Sequence, residues 1–213
     1  MRVNCGCGAT PTPAWANFDN SISIVLARHK IVCDLARMFG LIDQPQLEYV
    51  KFAKKNNIRH ANVVKRIPVP DSSVDVLYSS HMLEHLDDFE ARLFLGEARR
   101  VLRRGGVLRI AVPDLRALVD VYMQSGDADR FVAATLLAVP KSRGFAGRIK
   151  SAIIGARHHH WMYDAESLCA LLSRNGFLEP TRVRAGETRI VEPGELNLYE
   201  RHEESLYVEA IRA

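Results

Sequence analysis

The stretch IPVPDSSVDVLYSSHMLEHL, residues 67–86, decides the fold. Its first part holds Pro68, Pro70 and Asp71, a combination that predicts a turn. From Val74 to Ser79 nearly every residue is apolar, which is typical of a strand that a parallel sheet buries on both faces. The polar residues that follow this strand are therefore expected at the carboxyl edge of the sheet, where α/β proteins bind their ligands.

The stretch EARRVLRRGGVLRI, residues 97–110, extends the pattern into a helix and a second buried strand. Helical spacing predicts a helix over Asp87–Leu102, whose inward face carries Leu93, Leu95, Ala98, Val101 and Leu102. Gly105 and Gly106 are expected to stop this helix. Val107–Val112 is predicted as the strand that comes next, and Pro113 ends it.

The rest of the chain alternates in the same way. Further strands are predicted at Met1–Cys5, Trp15–Asp19, Ile58–Val64, Pro180–Ala185 and Leu206–Ile211. Further helices are predicted at Ser23–Phe39, Gln44–Asn57, Asp114–Met123, Asp127–Val139 and Asp164–Asn175. This order predicts a single α/β domain over residues 1–213, a three-layer sandwich around a mostly parallel sheet, with a helical and basic insertion at about 125–160.

Composition sets further bounds. The chain of 213 residues has a formal charge of +4, which permits an anionic partner without requiring one. No apolar run approaches the roughly 20 residues of a membrane helix, and no signal peptide is expected. The four cysteines do not form a disulfide framework, so a reducing cytoplasm is the expected compartment.

Two glycines and an acid point to a ligand site at the first two strands. Gly6 and Gly8 follow the first strand, where they let the backbone turn sharply and let a ligand approach closely. Asp19 closes the second strand, where an acid accepts hydrogen bonds from ribose hydroxyls. It follows Gly8 by 11 residues, whereas the dinucleotide fingerprint expects about 20. The spacing therefore weakens a pyrophosphate site and the hypothesis of a nicotinamide oxidoreductase.

Together these motifs resemble the class I S-adenosylmethionine-dependent methyltransferases, and among them the methyltransferase type 11-like proteins. The similarity rests on YSSHMLEHL at residues 78–86, on the helix and strand at residues 97–110, and on a shortened glycine loop followed by a Trp-Asn-Asp pattern at residues 15–19. It runs from Val3 to about Tyr122 and resumes at Tyr163–Phe177. The resemblance implies a Rossmann-like seven-stranded sheet with the last strand antiparallel, and S-adenosyl-L-methionine across the carboxyl ends of the strands.

The resemblance also implies which residues bind this cofactor. The glycine loop would cradle its methionine portion, Asp19 with Asn20 its ribose, and Asn62 with Val63 its adenine, while two serines would line the pocket beside the sulfonium. The full predicted set is Asn4, Cys5, Gly6, Cys7, Gly8, Asp19, Asn20, Asn62, Val63, Ser79 and Ser80. Asn62 replaces the acid that is usual in this family, but its carbonyl oxygen still accepts a hydrogen bond.

Two histidines are the candidates for catalysis. His81 follows the buried strand, and histidine is the usual residue type for proton transfer, so His81 is either the general base or a cap of the next helix. His159 lies in the run His158–His160, which either reaches the acceptor site or is solvated loop. For Glu84 and His85 a structural role is favoured, and Asp114 is either an N-cap or a substrate contact.

Cysteines and histidines also make a metal site a possible interpretation of the sequence. Cys5 and Cys7 with the run His158–His160 could supply ligands. Two small buried residues beside a glycine turn is the favoured interpretation, so no metal is predicted.

The acceptor is left open by the sequence. The expected acceptor is a small molecule or a glycoconjugate, methylated on oxygen or nitrogen. The segment 141–157 holds five basic residues and no acid, so it either clamps an anionic acceptor, rests on a membrane surface, or is a solvated helix. The rival hypotheses are a non-catalytic S-adenosylmethionine-binding protein and an RNA methyltransferase. Nucleic acid is not the expected partner, because Ser79-Ser80-His81-Met82 stands where base-amino methyltransferases carry a Pro-Pro motif.

Overall fold

A computed structural model describes residues 1–28, 38, 44–138 and 158–213. One twisted sheet takes strands from both ends of the chain. Its strands are β1 (Arg2–Cys5), β2 (Ala16–Asp19), β3 (Arg59–His60), β4 (Val74–Ser80), β5 (Leu102–Pro113), β6 (Phe177–Val183) and β7 (Ser205–Arg212).

The strand order places β4 at the centre of the sheet. The seven strands run in the order β3-β2-β1-β4-β5-β7-β6, and β1 to β5 pair in parallel. Only β7 is antiparallel to its neighbours, which are β5 on one side and β6 on the other. The predicted fold class is therefore confirmed: a Rossmann-like sandwich with a seven-stranded, mostly parallel sheet and an antiparallel last strand.

Helices cover the sheet. They are α1 (Ile22–Arg28), α2 (Gln44–Lys55), α3 (Asp88–Val101), α4 (Leu115–Ser125), α5 (Ala128–Thr135) and α6 (Ala165–Arg174), and a short 3-10 helix spans Leu83–His85. Aspartates begin four of them: Asp87, Asp114, Asp127 and Asp164 each accept a hydrogen bond from a backbone N–H of the first turn. Such caps satisfy donors that the helix itself leaves unpaired.

The main hydrophobic core lies between the sheet and two helices, α3 and α6. Side chains of β4 and β5 such as Leu77, Leu108 and Ile110 are fully buried there against Phe94 of α3 and Leu168 of α6. A smaller cluster on the opposite face joins Tyr78 and Tyr207 to apolar residues of the segment between β6 and β7. Burial on both faces explains why β4 and β5 are nearly continuous apolar runs in the sequence.

Several predicted bounds shift in the structure. The strand predicted at Ile58–Val64 pairs only at Arg59–His60, and β5 begins at Leu102 rather than at Val107. Gly105 and Gly106 therefore lie inside β5, beside a register shift in its pairing with β4, and do not cap α3. The basic segment 141–157, for which the sequence leaves an acceptor contact, a membrane contact and a solvated helix open, lies outside the described residues.

No helix in the described part of the chain has both the length and the apolarity needed to cross a bilayer.

A buried ion pair joins β5 to β7. Arg109 and Glu209 are both fully buried, and Arg109 Nη1 lies 2.6 Å from Glu209 Oε1. The same carboxylate accepts hydrogen bonds from Thr188 Oγ1 at 2.6 Å and from the Arg189 backbone N–H at 2.7 Å. The guanidinium also lies over the ring of Tyr207, 4.9 Å from its centroid. The two charges thus offset each other, but Arg109 Nε and Nη2 are buried without a hydrogen-bond partner among the described residues, so Arg109 depends on its ion pair with Glu209.

We predict that Glu209→Gln destabilises the fold, because it leaves the Arg109 charge buried without a counter-charge. The expected loss in the free energy of unfolding is about 3–5 kcal/mol, measured by urea denaturation. Asp120→Asn is the matched control, since Asp120 pairs with Arg116 on the exposed surface of α4. That control should cost less than about 1 kcal/mol. Equal losses in the two variants would contradict the assigned importance of the buried pair.

Candidate active site

The register of the parallel strands gathers most of the predicted site residues at one edge. Cys5, at the end of β1, pairs with Phe18 of β2 and with Ser79 of β4. Ser80, one residue on, pairs with Ala111 of β5. The glycine loop, Asp19 and the polar residues from Ser79 onward therefore lie at neighbouring strand ends, as the sequence predicts.

The glycine loop after β1 has two glycines with different surroundings. Both have positive φ angles, +69° at Gly6 and +48° at Gly8, which only glycine adopts without strain. A Cβ added to Gly6 would lie 2.4 Å from Met82 Cγ, so the loop packs tightly against the turn that follows β4. A Cβ added to Gly8 would meet nothing within 4 Å. Gly8 thus faces the open space that a ligand could use.

Asp19 braces this loop. Its Oδ2 accepts a hydrogen bond from the Gly8 N–H at 3.0 Å, and its Oδ1 accepts one from the Ser21 N–H at 2.8 Å. A carboxylate oxygen has two lone pairs, so each still has acceptor capacity for a ribose hydroxyl. The half-buried Asp19 is followed by the exposed Asn20.

Three polar atoms at the ends of β1 and β4 are buried without a hydrogen-bond partner among the described residues. Asn4 Nδ2 donates to Thr10 O and to Thr12 Oγ1, but its Oδ1 accepts no hydrogen bond. The hydroxyls of Ser79 and Ser80 are likewise unpaired. Such groups are rare in folded proteins because an unmade buried hydrogen bond costs about 1–3 kcal/mol. Their position next to the glycine loop marks where a polar ligand would be favourable.

Asn62 and Val63, the residues predicted to contact the adenine, are both engaged within the protein. Asn62 is half-exposed, and its Oδ1 accepts a hydrogen bond from the Lys65 N–H at 3.3 Å within its own turn. The Val63 side chain packs into the main core.

The two cysteines of the loop are inert thiols. Cys5 lies in the main core, whereas Cys7 packs with Ile24, Ala53 and Ile58. Burial raises the pKa of both thiols far above neutrality, and the Asp19 charge adds to this at Cys7. Cys5 and Cys7 do not form a metal site with His159, because His159 lies beside Glu84 and His85.

His81 makes the turn that ends β4. Its N–H donates to Ala111 O at 2.9 Å, and its φ of +48° is uncommon for a residue with a side chain. The ring is hydrogen-bonded at one nitrogen: Nε2 lies 2.9 Å from Ser205 Oγ. Its Nδ1 lies 3.3 Å from Glu84 Oε1 without making a hydrogen bond. A left-handed turn at this position aims the imidazole along the carboxyl edge, and such outliers are frequent at functional sites.

Glu84 is the centre of a histidine cluster that the sequence did not predict. Its side chain is only 1% exposed, and His85 Nε2 and His159 Nε2 each lie 4.0 Å from its Oε1. His159 is itself buried, so it is not a solvated loop residue. Burial lowers its pKa below the ordinary histidine value. Nothing local in the run His158–His160 distinguishes the buried ring from its neighbours.

A second missed residue, Glu200, connects the glycine loop to the end of the chain. Its carboxylate accepts hydrogen bonds from Thr10 Oγ1 at 2.8 Å and from Tyr78 Oη at 2.9 Å. Its backbone carbonyl accepts one from Tyr207 Oη at 2.6 Å. The residue is buried, yet it lies in a polar segment with no periodicity that would have singled it out.

A cavity of about 550 Å³ opens next to His81. It is lined by Arg182, Val183, Arg184, Ala185, Glu187, His202, Ser205 and Tyr207. Ser205, which is hydrogen-bonded to His81, belongs to its wall. Of its arginines, Arg182 pairs with Asp114, the cap of α4, whereas Arg184 pairs with no carboxylate among the described residues. A second cavity of about 500 Å³ lies between β2 and α2 and contains none of the predicted site residues.

Comparison with known proteins decides the family. The family model described as "Methyltransferase domain" matches residues 4–110, half of the chain. The chain belongs to this methyltransferase family. The matched range of the methyltransferase begins at Asn4, before the glycine loop, and ends in β5, so it contains the glycine loop, Asp19 and the residues from Ser79 to His85. Membership implies S-adenosyl-L-methionine as the cofactor.

Curated relatives of this methyltransferase are similar over shorter ranges. A probable S-adenosylmethionine-dependent methyltransferase of Mycolicibacterium smegmatis is 36% identical over 87 residues, which are 39% of this chain and 33% of the relative. One of Mycobacterium tuberculosis is 42% identical over 57 residues, 27% of this chain and 20% of the relative. The aligned part thus spans a third or less of the length of the curated relatives.

Solved structures show the same fold. A possible histamine N-methyltransferase of Thermotoga maritima has a TM-score of 0.54 at 16% identity, covering 100% of this chain and 82% of that one. The PH0226 protein of Pyrococcus horikoshii has a TM-score of 0.51 at 10% identity, covering 100% and 81%.

We predict that Gly6→Ala destabilises this methyltransferase more than Gly8→Ala does. Both changes place a side chain at positive φ, at a cost of about 1–2 kcal/mol, but only the first also collides with Met82. Urea denaturation should show the difference, and the double variant Gly6→Ala/Met82→Ala should recover part of it. Equal destabilisation of the two single variants would show that the contact between Gly6 and Met82 does not shape the loop.

Proposed function

We propose that this chain transfers the methyl group of S-adenosyl-L-methionine to an oxygen or nitrogen atom of a small-molecule or glycoconjugate acceptor, and that the acceptor is anionic. The observation that carries the transferase part is the edge formed by β1, β2 and β4. There an open glycine turn, an acid at the next strand end and three buried polar atoms without a described hydrogen-bond partner lie together. The names of the mycobacterial relatives support the same cofactor and reaction.

The residues at this edge fit the cofactor. Gly8 offers free space at a backbone turn, which suits close approach of the methionine portion. Asp19 retains acceptor capacity for the ribose hydroxyls. The unpaired Asn4 Oδ1 accepts from an ammonium group, and the Ser79 hydroxyl accepts or donates. The cofactor supplies a methyl group that its sulfonium already activates.

The remaining task of the protein is to position the acceptor and to remove a proton. Alignment of the two reactants lowers the barrier because the encounter no longer costs translational and rotational freedom. Ser205 Oγ lies between His81 Nε2, at 2.9 Å, and the neighbouring cavity, and it donates its proton to Glu200 O at 3.3 Å. A proton released by an acceptor in that cavity reaches the imidazole through Ser205 when this hydroxyl turns from Glu200 O to His81 Nε2. His81 is thereby the proposed base, acting through Ser205.

The acceptor cavity favours an anion. Arg184 contributes a positive charge whose guanidinium forms no ion pair with a described carboxylate, and His202 lies in the same wall. The one carboxylate of this wall, Glu187, accepts a hydrogen bond from the Arg184 backbone N–H at 3.1 Å. Arginine presents a planar fork of donors that matches carboxylate and phosphate oxygens. A sugar phosphate or a uronic acid has both this charge and hydroxyl groups to methylate, which agrees with a glycoconjugate acceptor.

Calorimetric titration with S-adenosylmethionine and with S-adenosylhomocysteine tests the cofactor part. We expect micromolar binding of both ligands to the wild type, lost in Asp19→Ala and weakened at least about tenfold in Gly8→Ala, which fills the open space. Gly126→Ala is the matched control, because Gly126 also has a positive φ and open surroundings but caps α4. Absence of binding to the wild type at near-millimolar ligand would overturn the proposal, whereas tight binding without transfer would favour a non-catalytic binding protein.

A panel of acceptors tests the anionic part. With radiolabelled S-adenosylmethionine, sugar phosphates and uronic acids should be methylated in preference to their neutral analogues. For the best of these acceptors, Arg184→Gln should raise the KM about tenfold or more and leave cofactor affinity unchanged. Arg174→Gln, at the exposed end of α6, is the control. Equal rates with charged and neutral acceptors would contradict an anionic substrate.

A further inference from the structure

The cluster around Glu84 has the composition of a metal site. One ligand atom each from Glu84, His85 and His159 lies within 4.8 Å of the other two. Glu84 and His159 are buried and His85 is half-buried. Imidazole nitrogens and a carboxylate are ligands that divalent transition metals prefer, and two histidines with one glutamate form a known zinc set.

The hydrogen bonds of the two histidines fix which ring nitrogen is free. His85 Nδ1 lies 2.9 Å from His158 O, and His159 Nδ1 lies 2.8 Å from Thr135 O. A carbonyl oxygen only accepts, so each Nδ1 must carry the proton. In the neutral rings each Nε2 is therefore an unprotonated lone pair, and both lone pairs face Glu84. Metal-binding histidines are oriented by this same type of bond to a backbone carbonyl.

The carboxylate of Glu84 lacks a hydrogen-bond donor among the described residues. Neither of its oxygens makes a hydrogen bond with a described residue, although the side chain is 1% exposed. The nearest nitrogen, His81 Nδ1, is 3.3 Å away, but not in hydrogen-bonding geometry. A buried charge without a partner is strongly unfavourable. A cation between the Glu84 carboxylate and the two Nε2 lone pairs would offset the buried negative charge.

The backbone holds this arrangement in place. The Glu84 carbonyl accepts hydrogen bonds from the His160 N–H at 2.7 Å and from the Trp161 N–H at 3.1 Å. The His159 N–H donates to Leu136 O at 3.1 Å. Three separate segments are thus fixed around Glu84 by main-chain bonds, so the cluster is part of the fold and does not depend on exposed rotamers.

We propose that Glu84, His85 and His159 bind a divalent transition-metal ion such as Zn²⁺. Tetrahedral ligands about 2.0–2.1 Å from zinc lie about 3.4 Å from one another. The three ligand atoms lie within 4.8 Å of one another, and both histidine nitrogens are 4.0 Å from Glu84 Oε1, so side-chain rotations that bring these atoms closer by roughly 0.6–1.4 Å close the site. A metal ion here would differ from the expectation, drawn from the sequence, that none binds.

Metal binding is tested on the full chain, purified without a histidine tag and stripped by a chelator. Titration with Co²⁺ is followed by the visible absorption of the bound ion, and titration with Zn²⁺ by calorimetry. We expect one ion per chain, with affinity reduced more than about tenfold in Glu84→Gln, His85→Ala and His159→Ala. His160→Ala is the matched control, because its exposed ring stacks on His158 and lies outside the cluster.

Two further readouts separate the possible outcomes. Thermal denaturation with and without Zn²⁺ should show stabilisation of the wild type and of His160→Ala only. Titration with S-adenosylmethionine in the absence of metal tests the proposed function independently, so either proposal can fail alone. Wild-type protein that binds no Zn²⁺ at tens of micromolar, or variants of the cluster that bind as tightly as His160→Ala, would overturn the metal site.

Discussion

Parallel pairing of β4 with both β1 and β5 is the constraint on which the rest of this molecule depends. Because all three strands run in the same direction, their carboxyl ends meet at one edge, and residues far apart in the chain become neighbours there. Each of the three strands is followed directly by part of the site: β1 by the glycine loop, β4 by His81 and β5 by Asp114. Burial of β4 on both faces makes this alignment rigid, since a shift by one residue would expose its apolar side chains.

Much of this frame was predictable from the sequence because its physical causes are local. The runs that became β4 and β5 are apolar on both faces, and Asp114 and Asp164 cap their helices as expected. Errors arose where tertiary pairing overrides local preference. The predicted strand Ile58–Val64 pairs with β2 for two residues only, and β5 continues through Gly105 and Gly106 because β4 lies alongside.

The chemistry of the site was less predictable than its location. The sequence pointed to His81 and His159 as separate candidates, but it gave no sign that both face Glu84. That meeting depends on the carbonyls of Thr135 and Leu136, which hold His159 from another part of the chain. An acid within an apolar motif is ambiguous by sequence alone, since burial and pairing are decided by distant residues. The same holds for Glu200, whose partners are 190 and 122 positions away.

The bridge made by Glu200 has a consequence for the order in which the molecule is completed. Thr10 and Tyr78 belong to the first half of the chain, whereas Glu200 and β7 are synthesised last. During translation, the early strands can pair, but the polar groups that shape the loop after β1 have to wait for their acceptor. Contacts at such separation also carry the largest loop-closure entropy and form slowly. A nascent or truncated chain that lacks Glu200 therefore contains the glycine-loop sequence but not the hydrogen bond that shapes this loop.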